Sequence, residues 1–408
     1  MTYSVGIEKT NWARAALRAW ARRAAACGVV LALCVRPWAR ARGDGVLGYR
    51  FENYQEDGGR MRVQTQSVFF DSPLAPWVSL KLTAVHDAIS GASPTGSPPP
   101  SQIHFVPPSL GGPTGPFSSS VPLARLEDIR WAGSFAPTFN YGPHHLTPEF
   151  SYSTEHDYVS RGGALNYALD LNEKNTTLSV GWAHDADTVL AKGFLHQNED
   201  KRTDEIHAGV SQLLDPKTVL ALDLTYAYDR GYLNDQYRGV LFANETQLDP
   251  TSPALEPESR PRHRDRYSVL ASVLREVTSL QGSVEGSYRF YVDSYGIAAH
   301  TAQLGWHQKI GPRLLVSPGF RYYWQTAANF YAPQWPDYST RPTYYSADYR
   351  LSRLETLTAG VDVSWRVLEH VTLDASYKRY IMVGLDGVTS QSAYPAANVF
   401  SVGARLWF

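Results

Sequence analysis

The chain has 408 residues, of which 19% are charged and 12% are aromatic, and its formal net charge is −1. A charge this close to neutral excludes a typical nucleic-acid binder, which carries a basic excess. The apolar content of 43% is too high for a disordered chain. Beyond the first forty residues no run of 18 apolar residues occurs, so a helical membrane protein is not expected.

The first 41 residues have the three parts of an export signal. An arginine-rich stretch precedes an apolar segment at 24–35, which is too short to span a bilayer, and Ala39 and Ala41 have the small-residue spacing of a cleavage site. We therefore predict a signal peptide at 1–41 and a mature chain at 42–408. Both cysteines, Cys27 and Cys34, lie in the signal, so the mature chain is expected to hold no thiolate zinc or iron–sulfur site.

Downstream of the signal, apolar and polar residues alternate with period two. The clearest example is the apolar set Leu220, Leu222, Leu224, Tyr226 and Tyr228, separated by small or polar residues. The polar positions of such segments are rich in Gly, Ser, Thr, Asp and Arg, as in a hydrated lumen. The apolar positions end in Trp or Tyr, as at a membrane interface. The pattern favours a transmembrane barrel over a soluble sandwich.

About sixteen segments show this alternation, at 46–56, 61–70, 77–87, 126–141, 145–155, 161–171, 176–185, 204–213, 218–229, 265–277, 280–292, 299–309, 313–325, 353–366, 370–381 and 398–408. Short turns follow most even-numbered segments. Long connections follow most odd-numbered ones, at 88–125, 186–203, 230–264, 326–352 and 382–397. This arrangement predicts an all-β fold, an up-and-down antiparallel barrel of about 16 strands with both termini in the periplasm. Closure is required because lipid leaves no partner for an open sheet edge.

The C-terminal segment 398–408 ends on an aromatic residue. Ser401, Gly403, Leu406 and Phe408 fit the C-terminal assembly signal of bacterial outer-membrane barrels, which this segment resembles. The resemblance implies that the outer-membrane barrel assembly machinery recognises the chain through Phe408.

Four stretches resemble a family of Gram-negative outer-membrane barrels that is catalogued only as a domain of unknown function. They are 208–218 (AGVSQLLDPKT), 231–235 (GYLND), 320–323 (FRYY) and 344–352 (YYSADYRLS). The resemblance implies a porin-like barrel in the bacterial outer membrane, with outer-membrane lipid around it. Members of the family are thought to be encoded near a periplasmic flavin transferase and small exported proteins, which implies extracytoplasmic redox work. The resemblance implies no particular activity.

One short motif is similar to the signature at which flavin transferases attach FMN to exported proteins. Asp87, Ser90, Gly91 and Ala92 would be the recognition residues, and Ser93 would accept the phosphoester. Covalent FMN at Ser93 is one interpretation. The other is an ordinary turn at the end of the third strand, since Asp, Ser and Gly favour turns.

The connection at 88–125 is rich in proline, which stiffens a chain and prevents strand pairing. It is expected either to fold inward and narrow the pore or to remain an exposed loop. The predicted lumen face carries charges of both signs, so we expect these groups to pair across the barrel and stiffen its wall, and we expect weak ion selectivity. These residues are Arg50, Glu52, Lys81, Glu149, Asp223, Glu285, Arg289, Arg321, Asp362, Arg366, Asp374, Lys378 and Arg405.

Three functional hypotheses follow. The first is a porin-like conduit or partner-docking component of an extracytoplasmic system. The second is a redox barrel carrying FMN, and the third is a structural sleeve for a small exported protein or lipoprotein. Because the sequence contains no nucleophile elbow, phosphate-binding loop or histidine pair with metal spacing, we predict neither a metal site nor an enzyme.

Overall fold

The computed structural model of the protein describes residues 45–97, 120–242, 256–336 and 338–408. Within these residues, sixteen long antiparallel strands close into a barrel, and a two-stranded hairpin, β10 with β11, lies in a connection between barrel strands. The strands are β1 (Val46–Glu56), β2 (Met61–Ala75), β3 (Val78–Pro94), β4 (Leu123–Tyr141), β5 (His144–Thr154), β6 (Tyr158–Leu171), β7 (Thr176–Val189), β8 (Glu199–Asp215), β9 (Thr218–Gly231), β10 (Gly239–Val240), β11 (Glu256–Pro257), β12 (His263–Val277), β13 (Gly282–Asp293), β14 (Ala298–Ile310), β15 (Leu314–Gln325), β16 (Leu354–Leu368), β17 (Val371–Gly384) and β18 (Ala396–Trp407). Each of the sixteen predicted segments corresponds to one barrel strand.

Short 3₁₀ turns are the helical elements of the described residues, at Asp57–Gly59, Thr278–Leu280, Tyr349–Leu351 and Gln391–Ala393. None of the helices in this part of the chain is long and apolar enough to cross a membrane.

The period-two pattern separates an apolar outer face from a polar lumen, as predicted. On β9, Leu222 and Leu224 are exposed on the outer face, whereas the alternating Asp223 faces the lumen beside Gly209 and Ser179. Aromatic side chains such as Trp131, Trp182 and Trp365 are likewise exposed on the outside. An even-stranded closed barrel with an apolar exterior and aromatic residues on it is the architecture of bacterial outer-membrane proteins, and the protein is such a barrel.

The two ends of the barrel differ in the length of their connections. One end has only turns of two to four residues between strands, for example 142–143 and 216–217, and both described chain ends lie there. The other end carries all five predicted long connections and three short ones, at 57–60, 155–157 and 294–297. By the rule that outer-membrane barrels have short periplasmic turns, the long connections are extracellular.

Four of the five predicted long connections are too long by a few residues, whereas the one predicted at 326–352 lies at 326–353. The proline-rich connection does not span 88–125, because β3 continues to Pro94 and β4 begins at Leu123, with Ser93 paired to Ala124. The alternation of apolar and polar residues ends where the strands leave the lipid, but the strands remain paired through their backbones beyond that point. Residues 98–119 lie outside the described residues, so whether this connection folds inward stays a prediction.

The barrel closes through its first and last strands. Val46 pairs with Trp407, and the backbones of Gly45 and Phe408 exchange two hydrogen bonds of 3.1 and 3.0 Å. Phe400, Val402 and Leu406 are exposed on the outer face, as predicted for the C-terminal strand. The predicted signal peptide at 1–41 lies outside the described residues.

Candidate functional site

Two extracellular connections turn back over the lumen, and we call their described residues, 232–242, 256–262, 326–336 and 338–353, the mouth loops. The two connections hold each other. Phe242 forms an isolated bridge with Trp335 and stacks edge-on with Tyr345, at 5.3 Å between ring centroids. Val240 and Phe242 are fully buried in this contact. The mouth loops therefore have an apolar core of their own, separate from the barrel wall.

A buried ionic cluster centred on Asp348 holds the polar part of the mouth loops together. The Asp348 side chain is only 1% exposed. Its carboxylate accepts hydrogen bonds from Arg350 Nε at 2.9 Å and Arg260 Nη2 at 3.0 Å, and Arg238 Nε lies 3.5 Å away. Burial alone would raise the pKa of Asp348, but the guanidinium groups, Arg350 foremost, hold it far below its usual range.

Two further carboxylates complete the charge balance of this cluster. Glu258 contacts Arg260 at 2.7 Å and accepts a hydrogen bond from Ser346 Oγ at 2.5 Å. Asp235 accepts a hydrogen bond from Arg350 Nη2 at 2.5 Å. Burial raises the pKa of Glu258, whereas the arginines around Asp235 lower its pKa despite burial. Removing one partner from such a buried network leaves an uncompensated charge and costs several kcal/mol, about 3–5.

The mouth loops also bind barrel strands on the far side of the opening. Arg238 Nη1 donates to the carbonyl of Pro94 at 2.7 Å, and its Nη2 donates to Ser93 Oγ at 3.1 Å. Gln236 Nε2 donates to Asp157 Oδ2 at 3.0 Å, in the turn between β5 and β6. Since the loop starts at β9, these bonds carry it across the opening and narrow the extracellular mouth.

A cavity of about 830 Å³ lies between the mouth loops and the lumen faces of β6 to β9 and β12. Asp185, Asp187 and Glu205 line one side, and Arg264 and Arg266 line the other. Lys201 contacts Asp187 at 3.5 Å, and Arg266 contacts Asp229 at 2.8 Å. Among the described residues, Asp185 and Glu205 have no ion-pair partner, so the acidic side retains free negative charge.

The same separation of charge extends along the whole lumen. The charged residues at the lumen positions of β5 to β9 are almost all carboxylates. Among the described residues, Lys201 is the only lysine or arginine at these positions. The carboxylates are Glu149, Asp170, Asp185, Asp187, Glu199, Glu205, Asp223 and Asp229. The lumen positions of β12 to β18 carry eight bases and five carboxylates. The bases are Arg264, Arg266, Arg289, Lys309, Arg321, Arg366, Lys378 and Arg405, and the carboxylates are Glu276, Glu285, Asp293, Asp362 and Asp374. One wall of the lumen is thus acidic, and the other has an excess of three bases over carboxylates among the described residues.

Lumen charges pair at several positions, as expected, but these pairs join neighbouring parts of the wall and do not cross the barrel. Asp374 contacts Arg405 at 2.6 Å, and Asp362 contacts Lys378 at 3.2 Å. Arg50 contacts Glu52 at 2.7 Å on the same strand. Each pair joins residues on one strand or on nearby strands, so pairing stiffens the wall without linking the two sides of the lumen.

The candidate flavin motif lies inside β3, so the expectation of a turn there is wrong. Asp87 faces inward and accepts a hydrogen bond from Arg130 Nε at 2.7 Å. Ser90 and Ala92 pair with β4. Gly91 has φ +134°, and a Cβ there would lie 1.9 Å from the carbonyl oxygen of Arg60, so the glycine is structurally required. Flavin attachment at Ser93 stays a prediction.

One group of side chains could hold a cation, which the sequence analysis did not anticipate. Ligand atoms of Asp128, His156 and Asp157 lie within 4.8 Å of one another at the extracellular end. His156 Nδ1 is 2.7 Å from Asp128, whereas Asp157 already accepts hydrogen bonds from Gln236 and Tyr237. Burial, with the nearby charge of Asp128, raises the pKa of Glu155 in the same turn.

Several solved outer-membrane proteins are similar to this chain in fold. The siderophore receptor PirA from Pseudomonas aeruginosa is 11% identical, with a TM-score of 0.44, covering 89% of this chain and 61% of the receptor. CdiB from Acinetobacter baumannii is 9% identical, with a TM-score of 0.47, covering 90% and 60%. A bacterial polysaccharide outer membrane secretin is 9% identical, with a TM-score of 0.45, covering 89% and 98%. The chain thus spans about three fifths of the length of the first two proteins.

No curated protein matches the sequence. A family model matches residues 23–197 and 192–391. The chain belongs to the family described as "Protein of unknown function (DUF3570)".

Proposed function

We propose that the barrel is a passive, non-enzymatic conduit for small hydrophilic solutes, and that it favours solutes carrying both a positive and a negative group. The observation that carries this proposal is the opposition of an acidic wall on β5 to β9 and a mainly basic wall on β12 to β18. Facing walls of opposite sign create a field across the lumen, which orients a dipolar solute. Because neither sign dominates the whole lumen, simple ions are only weakly sorted.

The size of the mouth cavity supports a small solute. Its volume of about 830 Å³ falls within the range of about 300–1,000 Å³ found for small-molecule sites. The mouth loops narrow the entrance, so passage depends on the hydrated space beside Asp185 and Glu205. A solute in this space meets the carboxylates of Asp185 and Glu205 beside the paired charges of Asp187 with Lys201 and Asp229 with Arg266.

The first prediction concerns ion selectivity in planar bilayers. The wild-type protein is expected to give a reversal potential near zero in a KCl gradient. The double variant Asp185→Asn/Glu205→Gln removes two carboxylates that line the mouth cavity without an ion-pair partner among the described residues, so the reversal potential should shift toward anion preference. In liposome swelling, the wild type should admit a zwitterionic amino acid faster than a neutral sugar of similar size.

The matched control places the same change on the outer face. Asp204 and Asp265 are carboxylates at the same end of β8 and β12 but point away from the lumen, and Asp265 accepts a hydrogen bond from Tyr226. Asp204→Asn/Asp265→Asn should leave the reversal potential unchanged. A wild-type protein that inserts but conducts nothing would contradict the conduit and favour the sleeve or docking role.

Covalent FMN at Ser93 is the second proposed function. Arg238 Nη2 lies 3.1 Å from Ser93 Oγ, so a guanidinium group would compensate the charge of a phosphoester there. Protein from cells with an active flavin transferase should carry the mass of one FMN, and Ser93→Ala should remove it. Thr95→Ala, at the next hydroxyl along the chain, is the control and should keep the added mass; an unmodified wild type ends this proposal.

Two partner predictions also stand as proposals. Phe408 lies on the closing strand, where its backbone pairs with Gly45, so recognition by the assembly machinery would precede closure. A small exported protein or lipoprotein would dock at the barrel or its loops.

A further inference from the structure

A row of cationic residues crosses the outer wall at the extracellular end. The register pairs Arg161 with Ala186, Ala186 with Arg202, Arg202 with Arg230, and Arg230 with His263. These positions lie on β6, β7, β8, β9 and β12, which are consecutive neighbours in the barrel. The three arginines and His263 are all exposed.

The row faces outward, away from the lumen. Counting by two along β9 from Arg230 leads to Tyr228, Tyr226 and Leu224, which belong to the apolar outer set. Tyr226 pairs directly with Tyr267, and their rings lie 5.0 Å apart. The arginines therefore lie on the extracellular side of the interfacial tyrosines, about 13 Å farther along the strand at 3.3 Å per residue.

This arrangement places like charges directly opposite each other. Neighbouring strands are about 4.8 Å apart, and like charges in directly opposed positions destabilise a sheet. Among the described residues, Arg161 and Arg202 have no ion-pair partner, and Arg230 has an ion pair with Asp204 at 3.9 Å. The repulsion between Arg202 and Arg230 is therefore only partly relieved among these residues, and an external anion would stabilise the row.

A recess deepens the outer wall at the centre of the row. Its volume is about 540 Å³, and it is lined by the three arginines Arg202, Arg230 and Arg262 and by the two carboxylates Glu199 and Asp200. Arg262 contacts Glu199 at 2.9 Å, whereas Arg202 has no ion-pair partner among the described residues and the ion pair of Arg230 with Asp204 is long, at 3.9 Å, so these two guanidinium groups can bind a ligand. Guanidinium groups bind phosphate with two parallel hydrogen bonds, and the recess leaves room for such a group.

We propose that Arg202 and Arg230, flanked by Arg161 and His263, form a binding site for the phosphate groups of lipopolysaccharide in the outer leaflet. The position just beyond the interfacial tyrosines is where a phosphorylated headgroup meets the wall. Charge complementarity selects this occupant, because the row presents several cations and the lipid several phosphates. The site lies on the outer wall, and its occupancy is independent of solute passage through the lumen.

The test measures how tightly the folded protein in detergent binds bisphosphorylated lipid A, by native mass spectrometry. The wild type should retain lipid A, and removing one or both phosphates from the lipid should weaken binding stepwise. Arg202→Gln/Arg230→Gln should weaken binding of bisphosphorylated lipid A about 10- to 30-fold, since each basic residue near a charged headgroup contributes on the order of a tenfold or smaller factor.

The matched control removes two outward arginines at the same end of β2 and β17. Arg62 donates to Asn53 at 2.9 Å, and Arg379 donates to Asp57 at 2.7 Å, so both already have partners in the chain. Arg62→Gln/Arg379→Gln should leave lipid A binding within twofold of wild type. Equal weakening by both double variants, or undiminished binding of the fully dephosphorylated lipid, would overturn the proposal. Heat-dependent gel mobility confirms that each variant is a folded barrel.

Discussion

Replacing Asp348 with asparagine is expected to release the mouth loops from the lumen while the barrel itself stays folded. The substitution keeps the shape of the side chain but removes the negative charge shared by Arg350, Arg260 and Arg238. Only Asp235 and Glu258 would then remain to balance the three guanidinium groups, so one positive charge at this buried position is left uncompensated, which should cost about 3–5 kcal/mol. The barrel wall is held by continuous strand pairing and has no such dependence.

Two measurements detect this release. Single-channel conductance should rise, since the mouth loops no longer cross the opening. Trypsin should cut the released loops, for example between Arg238 and Gly239, whereas the wild-type loops should resist under the same conditions. Heat-dependent gel mobility should remain that of a folded barrel.

Asp362→Asn is the control for this prediction. Its carboxylate also lies in the lumen and contacts Lys378 at 3.2 Å, but the Asp362 side chain is 49% exposed. A partly exposed pair contributes only about 0–1 kcal/mol, so conductance and protease resistance should be unchanged. If Asp348→Asn behaved like Asp362→Asn, the ionic cluster would not be what holds the mouth loops.

The strands could be predicted from the sequence because each residue of a membrane barrel faces only one of two environments. On β9, alternation between the leucine set and Asp223 is sufficient to assign both faces. The same alternation is lost outside the membrane, where both faces of a strand contact water. The outward-facing positions at the extracellular end of β3 are not consistently apolar; they hold His86, Ala88 and Ser90. The strand therefore continues beyond the point where the alternating pattern stops.

The mouth loops could not be predicted in this way. Asp235 and Arg350 are separated by 115 positions, and nothing periodic in either connection links them. Their contact depends on where β9 and β16 lie in the closed barrel, which is a property of the whole fold. The stretch 344–352 resembles the family in sequence, but that resemblance does not indicate a role for Asp348. Only the structure shows that Asp348 is the centre of a buried cluster.

The acidic and basic walls of the lumen could be predicted only in part, unlike the strands, which could be predicted, and the mouth loops, which could not. Once strands are assigned, parity alone places Glu149 and Asp223 on the lumen face, and both were expected there. Asp185 and Glu205 are at the ends of predicted segments and were not singled out, although the same parity applies to them. The acidic wall became visible only when the ordering of strands around the barrel grouped these residues together.

The largest expected effect on the barrel itself comes from Leu222→Arg. Leu222 is exposed on the outer face of β9, midway between the periplasmic end of the strand at Thr218 and the interfacial Tyr226. An arginine facing lipid near the bilayer midplane costs about 2–4 kcal/mol. The midpoint of urea unfolding in lipid vesicles should therefore fall. Ala221→Arg adds the same charge one residue away on the hydrated lumen face, and the midpoint should change far less. Equal losses for the two variants would mean that the faces of β9 are not divided between lipid and water, and the barrel assignment would fail with them.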